Sequence, residues 1–288
     1  PPDPEAQDVT GTERGGVAPR GEGGNGGPRR GGGIARGGLR VLLVDEEPRA
    51  GGARLDLPDD AAPLPSPDAA VTFLARASAV ATYANGTLVL HENRPVLVHA
   101  PVRVFATGCH ESVGTFAQND LPGVVTARAF ARALSHGVLL GERIVLAGDG
   151  PYTASILRAL DGMKASVTRL PPGCTFDADG GRAVKKVTYT APNSRARSVA
   201  CDLLVVDDAP SSAYELAGQA GAGLAWDTSR RCFVPQSDED GVTLARGVYV
   251  TGSLRLGMVA HSAREEDGRR VAARALGDLR QLHPEEAL

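Results

Sequence analysis

The sequence is short of cysteine, of aromatic residues and of long apolar runs. Its 288 residues hold four Cys, at 109, 174, 201 and 232, which form neither a CxxC pair nor a zinc-ligand spacing. A disulfide scaffold, a zinc module and a CxxC-type disulfide reductase are therefore not expected, and no metal ligand set is read from the chain. Reduced thiols point to a cytoplasmic setting. Aromatic side chains make up only 4%, with a single Trp. No apolar run approaches the ~20 residues that cross a bilayer, and no basic-then-apolar leader opens the chain, so a membrane is not an expected partner. Neither sign of charge is in excess. The 31 Lys+Arg against 34 Asp+Glu leave a net charge of −3. That gives no surplus for a phosphate backbone, and nucleic acid is not an expected partner either.

Glycine and proline are plentiful, at 36 and 20 residues, and unevenly spread. Between Gly11 and Gly38, 13 of 28 positions are Gly. Too few apolar side chains stand there to offset chain entropy, so residues 1–38 are expected to be a disordered Gly-rich tail.

Order is expected from Leu39. The run Leu39–Val44 (LRVLLV) has the look of a buried parallel strand with acids, Asp45 and Glu46, at its carboxyl end. A short helix is expected over Pro67–Ala75. Three runs, Ala79–Tyr83, Gly86–His91 and Arg94–His99, are separated by turn residues and suggest a small antiparallel meander. Arg103–Thr107 reads as a strand ending in Gly108, and Ala127–Ser135 as a helix. Arg143–Ala147, then Tyr152–Lys164 with apolar residues at helical spacing, then Ala165–Leu170, have the order and size of one βαβ unit. Lys185–Tyr189, Leu203–Val206 and Val248–Thr251 read as strands, and Met258–Leu276 as a helix. This order is mixed α/β.

Three strand ends carry candidate chemistry. Gly148-Asp149-Gly150-Pro151 joins a strand to a helix. The first glycine permits a tight turn, the second lets a pyrophosphate approach the backbone, and the helix start offers free N–H groups. The same turn also suits a Rossmann-like unit that keeps its shape without a ligand. Strand Ala165–Leu170 carries no acid for an adenosine ribose. Asp45, with Glu46 next, stands where the acid of a first βαβ unit binds ribose hydroxyls; taken alone, these residues better suit a solvated acid at a strand end. The third end lies in Gly247–Ala263, where a strand ends in Thr251-Gly252 and an anion-receptive helix start is expected near Gly257; a plain helix cap, a role that suits Ser253, reads the same residues.

Taken in order, these pieces resemble the flavoproteins with two dinucleotide-binding domains. Within that group the chain is most similar to the alpha-type subunits of heteromeric amine and opine oxidoreductases, among them those of sarcosine oxidase, opine dehydrogenase and hydrogen cyanide synthase. The resemblance rests on Leu39–Gly52 (LRVLLVDEEPRAGG), Val104–Glu111 (VFATGCHE), Asn119–Thr126 (NDLPGVVT), Gly141–Gly150, and Trp226–Gly241 with Gly247–Gly252. It spans about Leu39 to Leu276.

The resemblance implies a Rossmann-like FAD/NAD(P)-binding α/β fold with an inserted second dinucleotide-binding domain and the small antiparallel meander. An FAD-binding domain would comprise residues 39–118 with 242–280, and the inserted NAD(P)-type domain residues 119–241. It implies cofactor contacts from Asp45, Glu46, Gly51, Gly52, Thr107, Gly108, Gly148, Gly150, Pro151, Gly252, Ser253 and Gly257. It also implies a small amine or amino-acid substrate, other oxidoreductase subunits as partners, and no protein nucleophile, because the flavin carries the hydride. Two departures stand out. The family's opening strand, GxGPAG turn and helix have only Gly31–Gly38 (GGGIARGG) in their place ahead of Leu39, so the first βαβ unit reads as truncated and the FAD site as weakened or lost. The family's Asp after the late glycine is Ser253. NAD(P) is left open as a second nucleotide. The alternative is a non-catalytic or truncated relative that keeps the fold as a nucleotide-binding or partner subunit.

Overall fold

The computed structural model describes residues 16–18, 41–52, 71–259 and 261–282. The first strand, β1, is Gly16–Ala18. β2 (Val41–Asp45) follows, buried along nearly its whole length as a strand covered on both faces must be. β3 is Val71–Ala75. These strands lie parallel, Val17 opposite Leu42 and Leu43 opposite Phe73. β1 overturns part of the expected tail. A strand does stand ahead of Leu39, and it sits inside the sheet rather than at its edge. The rest of the expected tail lies outside the described residues. β3 replaces the end of the helix expected over Pro67–Ala75. Val71, Thr72 and Phe73 are strand-favouring side chains, and pairing with β2 settles their conformation.

The meander follows as β4 (Ala77–Tyr83), β5 (Gly86–His91) and β6 (Arg94–Val98), antiparallel as expected. Glu92 and Asn93 turn β5 into β6 with φ of 50° and 61°, the two-residue hairpin geometry that matches strand twist. β7 (Arg103–Phe105) returns to the first sheet on the far side of β1, and β8 (Cys109–His110) leaves it.

A second sheet begins with β9 (Val124–Thr126), which leads into α1 (Ala127–Ser135). Thr126 caps that helix, its Oγ1 accepting the Ala129 N–H at 3.3 Å. Then come β10 (Arg143–Gly148), α2 (Thr153–Ala159) and β11 (Ser166–Arg169). α2 stops at Ala159, short of the expected Lys164, where the chain turns through Gly162 at φ 76°. β12 (Thr175–Gly180), β13 (Val184–Thr190) and β14 (Arg197–Ala200) form an antiparallel sheet, and β15 (Leu203–Asp207) completes the parallel one in the order β11-β10-β15-β9. The side chains of β10 and β15 alternate between two cores. Ile144, Leu146, Leu203 and Val205 pack on Phe130 and Ile156 of the helices. Val145, Ala147, Leu204 and Val206 pack on Ala178 and Val187 of the antiparallel sheet.

The chain then runs through β16 (Ser211–Ser212), α3 (Glu215–Gln219), the hairpin β17 (Leu224–Asp227) and β18 (Cys232–Pro235), β19 (Val248–Val250), α4 (Ser253–Leu256) and α5 (His261–Leu282). β16 pairs with β8, and Ala217 and Ala222 share a core with Phe105, Val248 and Val250. Much of residues 208–241 therefore packs on the first sheet, whereas the sequence reading grouped it with the second. The first sheet is completed as β19-β7-β1-β2-β3, all parallel. α5 lays Val271, Ala272, Ala275 and Leu279 on Val41, Leu43, Val104 and Tyr249. It begins at His261, beyond the expected Met258. Among the described residues, no helix is long and apolar enough to cross a membrane.

Candidate functional site

In the first sheet the chain moves from β1 to β2 and β3 on one side, then returns to β7 and β19 on the other. The strand order thus reverses at β1. In open parallel sheets a crevice forms at such a reversal, outside the carboxyl ends of the strands, and ligands bind there. Since the strands are parallel, the ends of β2, β7 and β19 lie on one edge. Asp45, Thr107-Gly108 and Thr251-Gly252 are brought together along it.

Asp45 is buried at the end of β2, and its Oδ1 accepts the Glu47 N–H at 2.9 Å. Glu46, the neighbouring candidate, is exposed. The loop after Asp45 ends in Gly51 and Gly52, both buried, at φ 148° and 63°. At Gly52 the backbone lies in the left-handed region, which glycine adopts at the least cost. Glu47 also pairs with Arg132 of α1 at 2.7 Å, tying this loop to the second sheet's helix.

Thr107 is buried and donates its hydroxyl to the Ala213 carbonyl at 2.6 Å, while the Gly108 carbonyl accepts the Ala213 N–H at 3.1 Å. Both residues are thereby engaged in joining β7 to the segment around β16. Gly108 and Gly252 also have positive φ, 79° and 72°. The Gly252 N–H is held by Asp267 Oδ2 at 2.8 Å, and the Thr251 hydroxyl by the same oxygen at 2.7 Å. Asp267 also meets Arg255 in a buried ion pair. Ser253 is fully buried, and its carbonyl accepts both the Cys109 thiol and Arg230 Nη2 at 3.2 Å. Burial pushes the Cys109 thiol up to about 11, against the opposing pull of Arg230. Gly257 does not open a helix as expected. It closes α4, and a Cβ there would lie 3.3 Å from Arg230 Nε. Its smallness makes room for a guanidinium.

At Gly148–Pro151 the arrangement is different. Asp207, at the end of β15, is buried, and its Oδ2 accepts the N–H of Tyr152 at 3.0 Å, the N–H of Thr153 at 2.6 Å and the Thr153 hydroxyl at 2.7 Å. Burial raises the Asp207 pKa against those three bonds, and nearby Asp149 adds to the rise. Gly148 has φ 96°, and a Cβ on it would stand 2.2 Å from the Asp207 carbonyl oxygen. A Cβ on Gly150 would stand 2.3 Å from Asp207 Oδ1. Pro151 is exposed, and Asp149 is paired with Arg169 at 3.0 Å.

Asp207, Arg230 and Asp267 were not singled out from sequence. A signal for Asp207 was present, because Asp207-Asp208 follows an apolar strand just as Asp45-Glu46 does. A second signal lies just past β1, where Gly21, Gly23 and Gly26 have G-x-G-x-x-G spacing within what read as low complexity.

What an adenine dinucleotide needs at such an edge is a ribose-binding acid and glycines that let the backbone approach. Asp45 with the Gly51-Gly52, Gly108 and Gly252 turns are residues of that kind, so the first edge has the features of an adenine-dinucleotide site. No family model matches the chain. Two curated proteins are similar to parts of it. The A-type subunit of opine oxidase from Agrobacterium tumefaciens (strain Ach5) is 32% identical over 101 residues, 35% of this chain and 20% of that protein. The sarcosine oxidase alpha subunit of Corynebacterium sp. (strain P-1) is 26% identical over 261 residues, 70% of this chain and 27% of that protein. The matches thus span only about a fifth to a quarter of those relatives' lengths. Among solved structures, L-proline dehydrogenase from P. horikoshii superposes with a TM-score of 0.72 at 20% identity, over 93% of this chain and 57% of that one. The chain therefore has the Rossmann-like fold of FAD/NAD(P)-dependent oxidoreductases, and its sequence is similar to subunits of opine and sarcosine oxidases.

Proposed function

We propose that this chain is a flavoprotein subunit of an oxidoreductase that acts on a small amine or amino-acid-like substrate and works beside other subunits. The observation that carries the reading is the buried Asp45 at the end of β2, beside the strand-order reversal at β1 and on the same edge as the glycine turns after β2, β7 and β19. The similarity to subunits of opine and sarcosine oxidases supports the substrate class and the heteromeric setting. In this reading the first sheet, with β1, residues 39–118, the segment from 208 that packs on it and residues 242–280, is the FAD unit, and the second sheet, within residues 119–207, is the inserted unit.

Bound flavin supplies the hydride chemistry. The chain's own task is to hold and orient it. Asp45 accepts hydrogen bonds from ribose hydroxyls, Gly51 and Gly52 keep the adjacent loop close to the ligand, and Gly108 and Gly252 let backbone stand where side chains would obstruct. Ser253 supplies a neutral hydroxyl where the resembled family has a carboxylate. We therefore propose that FAD is held less firmly than in those relatives.

The test is the visible difference spectrum of the purified protein plus FAD against an equal concentration of free FAD, followed through a titration and again after dialysis. The reading expects a difference spectrum that saturates with FAD and fades on dialysis, and an affinity lowered about tenfold or more in Asp45→Ala, as for a lost charge-assisted bond. A folded protein that gives no difference spectrum with excess FAD overturns the flavoprotein reading. Stoichiometric FAD that survives dialysis overturns the weakened site alone.

A further inference from the structure

We infer that the inserted unit takes no nicotinamide dinucleotide at the Gly148–Pro151 turn, because the chain's own Asp207 carboxylate is built into the place a pyrophosphate would need. This stands apart from the flavin reading, since it concerns the other sheet.

In a βαβ dinucleotide site the pyrophosphate accepts N–H groups at the start of the helix, and the glycines before it exist so that phosphate can come close. Here both features are already in use. Oδ2 of Asp207 takes the N–H groups of Tyr152 and Thr153 together with the Thr153 hydroxyl. The missing side chain of Gly150 is filled by the same carboxylate, with Oδ1 and Cγ 2.3 and 2.6 Å from where a Cβ would stand. The missing side chain of Gly148 is filled by the Asp207 backbone. The glycines thus accommodate close approach of β15, and the anion at the helix start is internal.

Charge argues the same way. A pyrophosphate at this turn would have to displace a carboxylate from its donors or lie against it, and like charges at one helix end repel. The helix itself is seven residues long, about two turns. The neighbouring residues add little in favour of a nucleotide. Arg169, at the end of β11 where an adenosine ribose or its 2′-phosphate would be met, is engaged by Asp149 at 3.0 Å. The β11 segment ends in Thr168-Arg169-Leu170, with no acid to hold ribose hydroxyls. The consequence for the reaction class is that electrons are not exchanged with a nicotinamide bound in this unit.

The experiment is isothermal calorimetry of the full chain with NAD+ and with NADP+, in buffer containing FAD so that the first edge does not compete. The wild type is expected to give no saturable binding up to millimolar nucleotide. Asp207→Ser, which frees the donors, and Asp207→Asn, which keeps the shape without the charge, are compared as folded proteins by circular dichroism. At least one is expected to gain about tenfold or more in affinity for one nucleotide, as when a charge-assisted contact to an anion is restored. Micromolar binding by the wild type overturns the inference, as does an affinity equal to wild type in both folded variants. Should neither variant fold, the wild-type titration decides by itself, absence of binding supporting the inference and saturable binding overturning it. The flavin reading is judged separately, by the visible spectrum.

Discussion

Gly150 and Asp207 face each other so closely that a single added carbon on the glycine would stand 2.3 Å from the carboxylate oxygen. From sequence, Gly150 was the place where a nucleotide's phosphate would meet bare backbone. In the structure it is the place where the end of β15 meets the turn after β10. Gly150→Val is therefore expected to act on folding first. Overpacking at a buried contact with backbone and carboxylate should lower stability by about 3 kcal/mol. Urea denaturation checks this. A variant within about 0.5 kcal/mol of wild type, the range of an ordinary surface substitution, would mean that the contact relaxes freely.

Asp207 gives a pH dependence whose sign can be worked out. Its folded pKa is raised from the ordinary 3.8, mainly by burial. A carboxyl whose folded value lies above its unfolded value adds stability that is fully present below the unfolded value and is lost as pH rises through the folded value. Asp207→Asn removes that titration. The stability of wild type minus that of Asp207→Asn should fall as pH is raised from about 3.5 to neutrality. Urea midpoints across that range are the measurement, and a difference that rises with pH contradicts the burial-dominated environment.

Asp267 is a second buried acid beside the first edge, after Asp45. It holds the Thr251 hydroxyl and the Gly252 N–H and pairs with Arg255, its own side chain 1% exposed. Removing one partner leaves a charge with little solvent. Asp267→Ala is expected to cost about 3–5 kcal/mol, seen as a lowered denaturant midpoint. Asp267→Asn should cost less, because it can still accept from Gly252.

The cysteines should divide by burial. Cys109, Cys201 and Cys232 are buried, and Cys174 is half-buried. Burial raises the thiol pKa at Cys109 to about 11, so little thiolate exists at neutral pH. Iodoacetamide at pH 7.5 followed by peptide mapping is expected to label Cys174 ahead of the other three, with the buried thiols reacting only after denaturation. Early labelling of Cys109 would contradict its buried position.

The parallel strands with continuous apolar runs were legible because burial on both faces leaves an unmistakable pattern. β2, β10 and β15 lie where LRVLLV, RIVLA and LLVV place them, within two residues. The hairpins of the meander were legible through their turn residues. The exposed hairpin β17–β18 was missed because Trp226 and Phe233 meet edge to face, with ring centres 5.3 Å apart, on a half-wet surface whose sequence alternates only briefly. β1 was missed for a different reason. Three residues, Gly16-Val17-Ala18, carry almost no apolar signal, and only their place between β2 and β7 makes them a strand. At the candidate site, Asp45 could be read because it ends an apolar run. Arg230 and Asp267 could not, because they act on partners far along the chain, and spacing alone does not record such contacts.

The position of β1 has a consequence for the making of the protein. Its neighbours in the sheet come from residues 41–45 and 103–105, and β7 is in turn covered by β19 from residues 248–250. Contacts so distant along the chain are slow to close. The second sheet draws its strands from residues 124–207 alone, with helix and strand neighbours close in sequence. On the ribosome it can therefore mature while β7 still waits with an open edge for a strand not yet synthesised. Until residue 250 has emerged, that edge is available to the wrong partner, and pausing or truncation ahead of it should make the nascent chain depend on chaperones.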